Sequence, residues 1–177
     1  MLLKNKIKIM KKDILSKTLE LKKTKVVIFA ILLAISIVLP AFVHVQWVTG
    51  PIINASLLLA TALIGPMEAV LLGLMPSTVA LSTGLLPFPM APMVPFIMIG
   101  NAILIVFFHY LQSQNYALRL GLAALLKFAF LHFSVVFVMS GFLESPLVSK
   151  LMVMMSWPQF VTAVIGGIII YPIIKNK

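Results

Sequence analysis

The chain has 177 residues, enough for one domain with a sizeable core, but 62% of them are hydrophobic and only 10% charged, against roughly half and a quarter in soluble proteins. Nine of the fourteen basic residues and two of the four acids (Asp13 and Glu20) fall within residues 1–25. The remainder therefore carries too little charge to cover a water-soluble surface, and lipid is its solvent. The net charge of +10 does not point to nucleic acid, because the excess sits in one N-terminal lysine run without arginine or interleaved aromatics. Such a run before a hydrophobic span reads as a topology signal near anionic head groups. The complete lack of cysteine removes disulfides, thiolate zinc sites and Cys-ligated iron–sulfur clusters.

In chain order, Leu2, Leu3, Ile7, Met10, Ile14 and Leu21 recur among lysines at helical spacing. They read as an amphipathic helix on the inner membrane face, or as a solvated tail, including an extension from a misassigned start, since Met10 also offers a start. The first span runs from Val26 to about Val43. It is too long for a signal-peptide core and no small-x-small site follows it, so it reads as a signal anchor. A polar, aromatic segment, His44 to Pro51, places Trp47 at interfacial depth. Two short apolar runs, Ile52 to Ile64 and Met67 to Leu81, flank Gly65-Pro66 and predict a tight helical hairpin. From Gly84 to Pro95 the chain is apolar yet holds four prolines in nine residues. Irregular backbone of that kind persists at membrane depth only where protein or a cavity covers it. The fourth span covers about Val94 to Leu111, and the link Gln112–Tyr116 follows. The fifth runs from about Ala117 to Ser140, Gly141 to Ser156 is a mixed connection, and Trp157-Pro158 opens a sixth span to about Ile174.

Charge placement then predicts a compact all-α bundle of about six transmembrane helices with both termini inside. Residues 1–25, Arg119, Lys175 and Lys177 fall on one side and Lys150 on the other. The expected organisation is a basic cytoplasmic segment (1–25), a transmembrane domain (26–174) and a short cytoplasmic tail (175–177).

Lys127 is the most informative residue. A lysine near the middle of span five costs about 2.5–3.5 kcal/mol on insertion scales, so it must snorkel, pair, or face a wet cavity. Its face continues through Leu131 and Ser134, while His132 lies about 140° around the helix at roughly 100° per residue; both fit the wall of one broad cavity. Lys127 meets either an anionic or carbonyl group of a substrate or coupling subunit, or a structural partner such as Glu68 or a carbonyl freed by a proline. Asn101, mid-span in the fourth helix, is a ligand contact or helix glue, and Asn54 reads as a cap on span two. Trp157 and Gln159 open span six, where the indole either stacks on a heterocycle or anchors at the interface. Glu68 suits a helix N-terminus. His44 and His109 lack metal-ligand spacing, and the methionines form no repeated array. No Ser-His-Asp or paired-carboxylate constellation can be assembled, so neither an enzyme nor a cofactor site is expected.

Four features carry a resemblance to a known family. They are the size with six spans, Ala30-Ile-Leu-Leu-Ala34 in span one, Thr49-Gly-Pro-Ile-Ile-Asn54 opening span two, and Trp157-Pro-Gln159 opening span six. Over about residues 26–174 the chain resembles the substrate-binding membrane subunits (S components) of energy-coupling factor (ECF) transporters, which capture vitamins and related micronutrients. Some proteins of this appearance are labelled iron hydrogenases, a chemistry that a chain without cysteine does not suit. The resemblance implies a multi-pass subunit of a prokaryotic plasma membrane, without an ATPase of its own. It implies docking on a transmembrane coupling subunit driven by two ATPases, through the close-approach face of Ala30 and Ala34, a pair that would also serve internal packing. The substrate site it implies lies in the outer half, with Asn101, Lys127, His132, Trp157 and Gln159 as candidates. The other reading is an accessory or assembly subunit of a membrane complex.

Overall fold

The computed structural model describes residues 2–43, 45–84, 88–139 and 152–175, and among them every regular element is helical. Six long helices follow in chain order: α1 (Leu2–Phe42), α2 (Gln46–Leu63), α3 (Pro66–Ser82), α4 (Val94–Tyr110), α5 (Tyr116–Met139) and α6 (Trp157–Ile174). A 3-10 turn, Phe88–Met93, leads into α4 within the proline-rich segment. His44, Glu144 and Lys150 lie outside the described residues.

Among the described residues, five stretches are long and apolar enough to cross a membrane: Ile14–Phe42, Gln46–Leu63, Ala91–Tyr110, Tyr116–Phe137 and Met152–Ile174. The chain is a multi-pass membrane protein. The sixth helix, α3, has 17 residues. At about 1.5 Å per residue it falls a little short of the roughly 30 Å hydrocarbon width.

The N-terminal lysine run is helical but not a separate element. No glycine or proline interrupts the chain before Pro40, so α1 continues through the basic segment and the first span for 41 residues. Met10, Ile14, Leu15, Leu19 and Leu21 are exposed along its first half. The second half packs on α2 and α3 through Leu32 and Ser36, and its other side stays free. Only 11% of its apolar window is buried, against 39–44% for the other four spans, which puts α1 at the edge of the bundle.

The hairpin between α2 and α3 forms where Gly65-Pro66 predicts it. Gly65 has φ 132°, a conformation that side chains disfavour, and Pro66 opens α3 at a position where its missing N–H costs nothing. Glu68 sits in the first turn of α3, its carboxylate folded back over Gly65. The ammonium of Lys25 donates to the Ile64 carbonyl at 2.7 Å and lies 3.9 Å from Glu68 Oε1. Glu68 thus serves the hairpin and is not the partner of Lys127. At the same end, the Arg119 guanidinium lies over the Phe108 ring, 3.7 Å from its centre, and donates to the Phe108 carbonyl at the close of α4.

One boundary is corrected. The second helix starts at Gln46, not Ile52, running through Gly50-Pro51 with Pro51 inside it. Asn54 therefore lies two turns inside α2 and is buried; it is not a cap.

The pairing of α2 with α6 is the most extensive in the bundle. It depends on close backbone approach: a Cβ built on Gly166 would stand 2.7 Å from the Pro51 carbonyl oxygen and 2.8 Å from Ala55 N. Without a hydrophobic drive between helices in lipid, such van der Waals fit carries the association. Gly166→Ala should lower stability by about 1–3 kcal/mol as overpacking. Gly121→Ala, at a site with nothing within 4 Å, should not lower the thermal midpoint. Unfolding of both variants in detergent, followed by size-exclusion or tryptophan fluorescence, checks this contrast.

Candidate functional site

A partly enclosed cavity of about 270 Å³ lies at one end of the bundle. Its walls come from the last residues of α1 (Pro40, Val43), the first turns of α2, the last turns of α3 (Pro76, Ser77, Ala80), the start and middle of α4 (Ile97, Asn101), and Lys127 of α5. Met154, Met155 and Gln159 close it around the start of α6. Helix ends and helix starts alternate around it, so successive helices run antiparallel and the lysine-rich start of α1 lies at the opposite end.

Lys127 forms the floor. It is 3% exposed, and its ammonium donates to Asn54 Oδ1 at 2.6 Å and to Asn101 Oδ1 at 2.9 Å. Each asparagine passes its own amide on: Asn101 Nδ2 donates to the Gly73 carbonyl at 3.1 Å, and Asn54 Nδ2 to Thr162 Oγ1 at 3.3 Å. Thr162 Oγ1 in turn donates to the Gln159 carbonyl at 3.2 Å. One network thus joins α2, α3, α4, α5 and α6 below the cavity. It is neutral except for the lysine, and the described residues leave no buried side-chain polar atom without a partner.

The rim is tied separately. Gln46 Nε2 and Gln159 Nε2 both donate to the Met154 carbonyl, at 2.8 Å and 3.2 Å. Beside them the rings of Trp47 and Trp157 lie 5.2 Å apart at 49°. These contacts hold the start of α2 against the start of α6, where Pro158 occupies the first turn.

Of the five candidate site residues, Lys127, Asn101 and Gln159 line the cavity and Trp157 and His132 do not. Trp157 is 56% exposed against Trp47, since the turn that buries Pro158 points the indole outward. His132 is half-buried beside Phe128 and Phe133, at 5.7 Å and 5.9 Å between ring centres. No aromatic ring lines the cavity among the described residues. Ala30 and Ala34 are both exposed on α1, away from the buried face of Leu32 and Ser36. Asn54, Gln46, Thr49 and Ser77 are polar lining residues that the sequence did not single out for the site. Among the described residues no three His, Asp or Glu come together as a metal would need.

The described residues thus form an all-helical membrane bundle with a polar-floored cavity at one end. The sequence model of the family described as ECF transporter, substrate-specific component, matches residues 24–175. The chain belongs to this family, whose members are transporter subunits. No curated protein and no solved structure matches it.

Proposed function

We propose that this substrate-specific component is the capture subunit of an ECF-type importer for a small vitamin-like micronutrient. It sits in a prokaryotic plasma membrane and relies on the ATPases of a separate module. The observation that carries the reading is the cavity floored by Lys127, Asn54 and Asn101 at the end away from the basic segment. With the lysine run held inside by the positive-inside bias, that cavity faces the exterior, where substrate arrives. Lys127, Asn101, Gln159 and Asn54 form its polar contacts, and aliphatic side chains such as Ile53 and Ile97 cover the rest. Energy comes from elsewhere, since the sequence has no Gly-x-x-x-x-Gly-Lys-Ser/Thr loop to cradle a nucleotide. Docking on the membrane coupling subunit uses the free side of α1 around Ala30 and Ala34, whose exposure supports an external contact.

Affinity purification of the tagged chain from native membranes tests the assembly. It should bring down a second multi-pass protein and nucleotide-binding subunits; recovery with redox subunits instead would favour the accessory reading. The orientation is checked with single cysteines, clean in a chain that has none of its own. An impermeant maleimide on intact cells should label Thr83→Cys, at the cavity end, and spare Gln114→Cys, in the opposite link. The reverse pattern would turn the cavity inward and end the capture reading.

A further inference from the structure

We propose that the substrate is a small monocarboxylic acid whose carboxylate docks on Lys127; this rests on the capture reading and narrows it. An ammonium has three donors. Two of them go to Asn54 Oδ1 and Asn101 Oδ1, both neutral acceptors whose amide nitrogens are themselves engaged. The two asparagines clamp the ammonium in place but leave its charge uncompensated.

Within the described residues no carboxylate repairs this. Glu20 pairs with Lys23 and Glu68 with Lys25. Among the described residues, Lys127 is moreover the one charged side chain lining the cavity. A buried cation without a counter-charge is costly, and tying two asparagines together would need only a neutral donor. A lysine held at the floor of the cavity is complementary to an anion that enters it and supplies the missing counter-charge.

The lining sets the rest of the molecule. A cationic substrate would be repelled, and a phosphate ester, at roughly −1.5 to −2, would exceed a single cation. One carboxylate matches it. Pro40, Val43, Ile53, Pro76, Ala80 and Ile97 present apolar walls, so the body beyond the carboxylate is largely apolar.

The test uses the full chain in mild detergent at pH 7 and acid–neutral pairs that differ at one group: nicotinate and nicotinamide, pantothenate and panthenol, lipoate and lipoamide. Thiamine serves as the cation and pyridoxal phosphate as the phosphate ester. Thermal midpoints across a concentration series give apparent affinities. At least one carboxylate should raise the midpoint and bind ten-fold or more tightly than its neutral partner. Lys127→Arg should keep that preference and Lys127→Met should lose it; should the Met variant fail to fold, wild type and Lys127→Arg decide. Equal or better binding by a neutral partner, thiamine or the phosphate ester overturns this inference and leaves capture standing. No shift with any compound counts against capture itself and removes this inference with its premise.

Discussion

Lys127→Met should weaken binding of the substrate by about ten- to a hundred-fold, the cost of losing one charged hydrogen-bond partner at about 1.5–3 kcal/mol. Methionine keeps the unbranched apolar stem and removes the ammonium, with its charge and its donors. A second effect follows from the network: Asn54 Oδ1 and Asn101 Oδ1 would both lose the ammonium they accept from. A buried acceptor left bare costs about 1–3 kcal/mol, so the ligand-free thermal midpoint should also fall. Isothermal titration reads the first effect and unfolding without ligand reads the second. A folded variant with a lowered midpoint and unchanged affinity would make Lys127 a structural hub with no part in binding.

The second large effect is on assembly. Replacing Ala30 and Ala34 together by leucine should abolish recovery of the membrane coupling subunit while leaving substrate affinity within about two-fold. Small residues four apart let a partner helix approach closely, and two leucines would hold it off. Because both alanines are exposed at the edge of the bundle, the thermal midpoint of the isolated chain should hardly move. Retention of the partner would place docking elsewhere; a collapse of the midpoint would mean that the alanines pack inside.

Hydropathy alone located α4, α5 and α6 to within a residue or so, because long apolar runs ended by polar links leave little choice of boundary. The hairpin was equally legible: Gly65-Pro66 combines a residue that tolerates φ 132° with one suited to a helix start. The start of α2 was not. The polar, aromatic segment His44 to Pro51 reads as preceding the apolar run that begins at Ile52, yet proline near a helix start removes only a hydrogen bond or so from its first turns. That error displaced Asn54 from the middle of a helix to its cap and hid its role. Its bond to Lys127 spans 73 positions, and the two meet only because α4 and α6 each pack on both α2 and α5. Lys127 itself was plain from cost alone, since no lysine rests unpaired in hydrocarbon. For Trp157 the sequence offered two fates, stacking on a substrate or anchoring at the interface. The structure sets its ring against Trp47 at the rim, a pairing across α2 and α6 that spacing does not reveal.

Native mass spectrometry of the gently purified chain tests the central claim most directly. Wild type should release one small molecule per chain on activation, and Lys127→Met purified in parallel should release much less of it. Only lipid and detergent adducts on the wild-type chain, alike in both proteins, would contradict a substrate-capture role for this cavity.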